Sequence, residues 1–125
     1  MTAVAWILFL VTAAAGACAR LLVDSWVQHR TTGDFPWGTF LVNVSGCLVL
    51  GGLTGLGLYH GLGVTTRTVV GTGGLGAYTT FSTFTFDTVR LAETGALRSA
   101  LLNVAASMVV GLVAAAAGLA LIAAI

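Results

Sequence analysis

Four apolar stretches, each long enough to cross a lipid bilayer, leave little of this chain for anything else. They run from about Ala3 to Val23, Gly38 to Tyr59, Thr68 to Leu91 and Leu97 to Ile125. A membrane-spanning helix needs about 20 residues. Hydrophobic residues make up 58% of the 125-residue chain and charged residues 7%. The sequence therefore predicts an all-α membrane protein with a single four-helix transmembrane domain over residues 1–125, located in the inner (plasma) membrane.

The charges and motifs argue against two classes of function. The formal net charge is +1, which provides no basic patch for nucleic acid. His29 and His60 lie in connections between the apolar stretches, and the cysteines and histidines do not have metal-binding spacing. No nucleophile stands beside a base in the sequence. We expect neither an enzyme nor a nucleic-acid-binding protein.

Glycines and hydroxyl side chains interrupt the third apolar stretch. Hydrocarbon cannot satisfy freed backbone amides and carbonyls, so such a segment has to face protein or a cavity. The glycines allow the helix to break before Thr79 and Thr80, which would free carbonyl oxygens for a hard cation such as Na⁺. We therefore predict a third helix with a break beside a polar pathway. The residues that carry this prediction are Gly73, Gly74 and Gly76, followed by Thr79-Thr80-Phe81-Ser82-Thr83-Phe84.

Two phenylalanines follow the glycines. In a continuous helix Phe81 and Phe84 would share one face, with Thr80 and Thr83 close by. Phenylalanines at this spacing usually indicate packing. Aromatic ring edges also carry partial positive charge, so two edges directed into a narrow polar lane would stabilise a small anion without binding it tightly. The residues alone leave both interpretations open.

Polar residues in the other stretches also have two interpretations each. Arg20 either extends to the lipid headgroups or draws anions into a vestibule. Asn43, with Thr39 one turn before it, either bonds a neighbouring helix or offers its amide N–H groups to an anion. Ser107, four residues after Asn103, either joins two helices or adds to a polar pathway.

Over essentially its whole length the chain resembles the Fluc (CrcB) family of fluoride channels. The resemblance is carried by residues 16–20 (GACAR), residues 38–43 (GTFLVN) and, most specifically, residues 76–84 (GAYTTFSTF). It implies a fluoride-selective channel that passively exports F⁻ across the cytoplasmic membrane. Export of this kind would lower cytoplasmic fluoride and protect the cell from its toxicity.

The resemblance also implies a set of site residues. Arg20 would lie at a vestibule, and the backbone carbonyls of Gly76 and Thr79 would bind a structural Na⁺ at the centre of a dimer. The fluoride pathway would be lined by Asn43, Phe81 and Phe84, continued by Ser82 and Thr83, with Thr39 and Ser107 at less distinctive polar positions.

Members of the family form dual-topology antiparallel dimers with two pores, and we expect a homodimer of this kind embedded in membrane lipid. Four small helices alone enclose little space, whereas two copies around a twofold axis share a central site. Arg67 is on one side of the predicted topology and the other four arginines are on the opposite side. Because such a bias ordinarily favours a single orientation, one half of a paired heterodimer is the alternative.

Two other functions compete with a fluoride channel. A small proton-coupled multidrug exporter would need a carboxylate inside the membrane. Arg20 is the only ionisable residue of the first stretch, and Asp87 falls close to the end of the third. A structural subunit without transport would use the polar cluster only to join helices. Ion flux into liposomes would separate the three functions.

Overall fold

The computed structural model describes all 125 residues, and its secondary structure is entirely helical. Three helices, the first, second and last, are long and apolar enough to cross a membrane. The predicted all-α membrane fold is thus confirmed. In chain order the elements are α1 (Ala3–Gln28), α2 (Trp37–Tyr59), α3 (Val64–Arg67), a π-helix (Thr68–Leu75), α4 (Gly76–Tyr78), α5 (Phe81–Glu93) and α6 (Leu97–Ala123).

The third apolar stretch is broken into two halves, as the glycines predicted. The first half consists of α3, the π-helix and α4, and the second half is α5. Between them Thr79 and Thr80 have extended backbones, with ψ angles of 160° and 125°. The π-helix, in which the turns are wider than in an α-helix, was not predicted. Thr12 of α1 donates its hydroxyl to the carbonyl of Val69 in this segment at 2.8 Å.

Helix α1 is longer than predicted. It continues past Val23 to Gln28, so Asp24 lies in a helix and not in the first connection, where we expected it. The first glycine or proline after Val23 is Gly33, whose φ of +98° ends any helical continuation. Because no helix breaker comes earlier, the helix carries the carboxylate of Asp24 toward the start of α2.

Glycines form the helix contacts, and large apolar side chains point outward. Only 18 of the 125 residues are buried, whereas residues such as Trp6, Leu22 and Leu112 are exposed. Helices α2 and α6 run side by side, with Gly51 directly against the backbone of Ala115. Small residues let membrane helices approach closely. The outward apolar faces are what a protein surrounded by lipid requires.

Candidate functional site

Thr80 forms the N-terminal cap of α5. Its backbone is extended, and its Oγ1 accepts a hydrogen bond from the N–H of Thr83 at 3.2 Å, as N-cap threonines commonly do. The same hydroxyl donates to Oγ1 of Thr83 at 3.1 Å and lies 3.3 Å from Oγ of Ser82. The hydroxyls of Thr80, Ser82 and Thr83 therefore form one cluster at the first turn of α5.

Asn43 of α2 holds the peptide groups of Thr80 from the opposite side. Its Nδ2 donates to the Thr80 carbonyl at 2.9 Å, and its Oδ1 accepts from the Thr80 N–H at 2.8 Å. We call this arrangement the Asn43–Thr80 pair. An amide nitrogen carries two N–H groups, so one Asn43 N–H remains after this pairing. The structural interpretation of Asn43 is thus confirmed, and a donor is left over.

The Asn43–Thr80 pair also changes the hydrogen bonding of Gly76. In a continuous α-helix the N–H of Thr80 would donate to the carbonyl four residues earlier, that of Gly76. Here this N–H donates to Asn43 instead. The N–H of Thr79 still donates to Leu75, as does its hydroxyl, both at 2.9 Å. The break therefore leaves backbone carbonyl oxygens at the end of α4 without their helical partner.

The two phenylalanines lie close together at the start of α5. Their ring centroids are 5.9 Å apart, and the ring planes are inclined by 42°. The side chain of Phe84 is half-buried, whereas that of Phe81 is 75% exposed in the single chain. Ser82, the next residue of the helix, is also exposed, so this face of α5 is open in the single chain.

A cavity of about 360 Å³, which we call the central cavity, brings most of the predicted site residues together. It contains the residues expected for the anion and those expected for the cation. Its other lining residues include Cys47 and Met108. The predicted site residues that line it are Asn43, Gly76, Thr79, Phe81, Phe84 and Ser107.

A second, smaller cavity of about 100 Å³, which we call the Arg20 cavity, holds three of the four remaining predicted residues, whereas the fourth, Ser82, lines neither cavity. It is lined by Arg20, Thr39 and Thr83, together with Asp24. Thr80 lines both this cavity and the central one. The sequence placed Thr39 beside Asn43 on one side of α2, but the structure puts Thr39 in the Arg20 cavity and Asn43 in the central one. Thr80 stands between the two.

Thr39 also has a specific partner. Its hydroxyl donates to the carboxylate of Asp87 at 2.9 Å. Both residues line a third cavity of about 220 Å³, the acidic cavity, which adjoins the Arg20 cavity at Asp24, Thr39 and Thr83. Because the Thr39 hydrogen is used on Asp87, this hydroxyl offers only its oxygen to anything in the Arg20 cavity.

Ser107 lines the central cavity on the α6 side. Its hydroxyl is 3.5 Å from Oδ1 of Asn103, to which it donates. Asn103 is completely buried. Its Nδ2 donates to the hydroxyl of Thr88 at 2.8 Å and lies 3.5 Å from the carbonyl of Phe84. Asn103 thus anchors α6 to the helix that carries both phenylalanines.

Sequence reasoning did not assign Thr80 or Asn103 to the site. The signal for Thr80 was available, because a threonine directly before a helical run is a preferred N-cap residue. Asn103 gave a weaker signal, because an asparagine in an apolar stretch shows only that some partner exists. That partner proved to be Thr88.

Together the fold and the site define a small multi-pass membrane protein. A cavity at a helix break is lined by apolar side chains together with neutral polar residues, among them Asn43, Thr79, Thr80 and Ser107. Such a lining is typical of a channel for a small ion, and it contains none of the constellations of an enzyme.

The chain belongs to the CrcB family. The family described as "CrcB-like protein, Camphor Resistance (CrcB)" matches residues 7–119. The chain is 50% identical over 118 residues to "Fluoride-specific ion channel FluC 1" of Symbiobacterium thermophilum, covering 93% of this chain and 95% of that relative. It is 48% identical over 113 residues to the protein of the same name from Streptomyces avermitilis, covering 90% and 91%. The predicted family membership is confirmed.

A mycobacterial relative matches a similar share of the chain at lower identity. "Fluoride-specific ion channel FluC 2" of Mycobacterium tuberculosis is 42% identical over 118 residues, covering 94% of this chain and 90% of that relative. The relatives are thus of nearly the same length as this chain. Their names describe ion channels, which argues against the multidrug exporter and the structural subunit.

Proposed function

We propose that this protein is a fluoride-selective channel that passively exports F⁻ across the cytoplasmic membrane. Three named relatives at 42 to 50% identity are fluoride-specific ion channels. The observation in this chain that supports the proposal is the Asn43–Thr80 pair, since it leaves one amide N–H of Asn43 unused and Asn43 lines the same cavity as Phe81 and Phe84. Such a channel would protect the cell from accumulated fluoride.

Selectivity would come from neutral groups that replace the tightly held water of fluoride. The central cavity offers the second N–H of Asn43 and two aromatic edges. The N-terminus of α5, the positive end of its dipole, lies at the same place. None of these groups carries a full charge, so an anion can be stabilised and still leave. A larger anion such as chloride would be excluded by the narrowness of the lane.

We further propose that two oppositely oriented copies form the channel. In one chain Phe81 is 75% exposed although it lines the central cavity with Asn43 and Phe84. A second copy seated over this face would cover the ring and close the cavity. Closed symmetric dimers are the commonest way for a small chain to complete a site. The apolar helix faces outside this contact would lie against membrane lipid.

The carbonyl oxygens at the helix break are suitable ligands for a structural Na⁺. A hard cation prefers oxygen ligands, and the carboxyl end of a broken helix offers carbonyl oxygens at the negative end of its dipole. The end of α4 does this at Gly76 and Thr79, both of which line the central cavity. Two carbonyls are too few to complete a shell, so the partner copy would supply an equal number. Bound there, Na⁺ would supply a fixed positive charge that holds the two chains together.

The direct test of the function is anion efflux from liposomes that contain the purified protein. We expect rapid fluoride efflux, followed with a fluoride electrode, and no measurable chloride efflux from matched vesicles. Liposomes without protein provide the baseline. Chloride efflux as fast as that of fluoride, or no fluoride efflux at all, would refute the proposal.

Replacing either phenylalanine is expected to slow fluoride efflux. Phe81→Ile and Phe84→Ile each remove a ring edge from the pathway and break an aromatic pair worth about 0.5–1.5 kcal/mol, so we expect efflux to fall about 3- to 10-fold in each variant. Phe86→Ile is the matched control, because Phe86 lies on the same helix and is exposed outside the central cavity. If all three variants conduct like the wild type, ring edges do not contribute to conduction.

Removing Na⁺ is expected to weaken the dimer and stop conduction together. Purified protein transferred from NaCl to N-methylglucamine chloride should shift from dimer to monomer in size-exclusion chromatography with light scattering. Returning Na⁺ should restore the dimer. K⁺, a larger monovalent cation, is the control for the size of the ion and should not restore the dimer. A dimer that is equally stable in all three salts would contradict the sodium proposal and leave the fluoride proposal standing.

A further inference from the structure

Arg67 occupies the end of the protein opposite the Arg20 cavity. It is the last residue of α3, and its side chain lies across Gly57 of α2. A Cβ atom at Gly57 would be 2.5 Å from Cδ of Arg67 and 2.7 Å from its Nη1. Glycine at this position leaves room for the guanidinium group to lie against the helix backbone. The contact brings a positive charge against α2.

The guanidinium group of Arg67 lacks a partner for a buried N–H. Its Nε is buried and makes no hydrogen bond. The acidic residues of the chain, Asp24, Asp34, Asp87 and Glu93, all belong to the opposite end. A buried donor without an acceptor is destabilising, and more so when it is charged. An arginine that only extended to the headgroups would keep its nitrogens in water, which the Nε of Arg67 does not do.

A cavity of about 320 Å³, the Arg67 cavity, opens beside this group. It is also lined by Thr54 and Thr72, and it shares Leu50 and Gly71 with the central cavity. The hydroxyl of Thr54 donates to the carbonyl of Leu50 at 2.8 Å. The donors left for a ligand are therefore the guanidinium N–H groups and the hydroxyl of Thr72. This set suits a small anion.

We propose that Arg67, with Thr72, forms a second anion site, which binds partly hydrated fluoride at the end of the pathway opposite Arg20. The inference rests on the proposed function and extends it. A fixed charge at a cavity mouth raises the local concentration of anions, whereas a full charge in the narrow centre would retain them. Positive charge at both ends and neutral donors between them thus favour entry without trapping.

The test compares fluoride efflux over a range of internal fluoride concentrations. In Arg67→Gln we expect the half-saturating concentration to rise about 5- to 10-fold, since the charge that concentrates the anion is lost, while efflux at saturating fluoride changes little. Arg67→Lys keeps the charge and should recover most of the wild-type response. Arg98→Gln, which removes an exposed charge at the start of α6, should behave like the wild type. An unchanged half-saturating concentration in Arg67→Gln would overturn the second site.

An equilibrium measurement separates this inference from the proposed function. Wild-type and Arg67→Gln proteins in detergent are titrated with sodium fluoride in a calorimeter at constant Na⁺. We expect the variant to bind one fluoride fewer per chain. Identical titrations would refute the Arg67 site even if the wild type conducts fluoride. If the wild type conducts no fluoride but still binds one fluoride more per chain than Arg67→Gln, the channel proposal is refuted and the Arg67 site is retained.

Discussion

Replacing Asn43 with leucine is expected to lower fluoride efflux by about 100-fold. Leucine has nearly the size of asparagine but neither a donor nor an acceptor. The substitution would leave the N–H and carbonyl of Thr80, now bonded at 2.8 and 2.9 Å, without partners in a site with little water. The anion would also lose the Asn43 N–H as a donor; a hydrogen bond to a charged group is worth about 1.5–3 kcal/mol, and about 1.4 kcal/mol corresponds to a factor of ten. Efflux from liposomes measures the result.

Two further variants show which part of Asn43 matters. Asn43→Asp, measured at about pH 8, above the ordinary pKa range of aspartate, keeps an oxygen for the Thr80 N–H and replaces the donor with a negative charge. We expect this variant to conduct as poorly as Asn43→Leu. Thr85→Val is the control on α5, because the hydroxyl of Thr85 bonds only carbonyls of its own helix, those of Phe81 and Ser82. Wild-type efflux in Asn43→Leu would rule out Asn43 as part of the pathway.

The membrane-spanning helices and the broken third helix could be predicted from the sequence. Both follow from the solvent: hydrocarbon demands long apolar helices and tolerates a break only beside protein or a cavity. The glycines before Thr79 therefore indicated both the break and its polar surroundings. The end of α1 was harder to predict, because Asp24 looked like a residue of a connection although no glycine or proline follows Val23 before Gly33.

The arrangement of the site could not be predicted, because it depends on how separate helices cross. Spacing placed Thr39 and Asn43 one turn apart on α2. The partners of these residues, Asp87 for Thr39 and Thr80 for Asn43, come from elements that are distant in sequence. The division into a central cavity and an Arg20 cavity follows from those partners. The unbonded Nε of Arg67 likewise became visible only once α3 was placed against Gly57.

The break between α4 and α5 has a clear physical role. In a continuous helix the N–H of Thr80 would donate to the carbonyl of Gly76, and this carbonyl would not be free. The extended residues Thr79 and Thr80 turn that N–H toward Asn43, so a single break serves two proposed sites. The first half of the span ends in carbonyls suited to a cation, and the second half begins with N–H groups and hydroxyls suited to an anion. The proposed cation site and the proposed anion site are thus formed at the same helix break.

The contact between α2 and α6 offers the second large effect, on folding instead of conduction. At Gly51 an added Cβ would lie 2.8 Å from the carbonyl carbon of Ala115 and 3.0 Å from its Cα. At Gly52, the next residue, the nearest atoms would be Cγ1 of Ile122 at 3.7 Å and the oxygen of Gly118 at 3.8 Å. The first position meets backbone, which cannot rotate away. The second makes ordinary contacts.

Gly51→Ala is therefore expected to destabilise the protein by about 3 kcal/mol, the upper part of the usual range for overpacking. Gly52→Ala should be neutral or stabilising, since alanine favours a helix over glycine by about 1 kcal/mol. Unfolding by sodium dodecyl sulfate in mixed micelles, followed by tryptophan fluorescence, measures both variants. The comparison is sharp because the two substitutions add the same methyl group to neighbouring positions of one helix. Equal stabilities would mean that the backbones of α2 and α6 are not in contact at Gly51. The helix packing that supports the pathway would then differ from the packing described above.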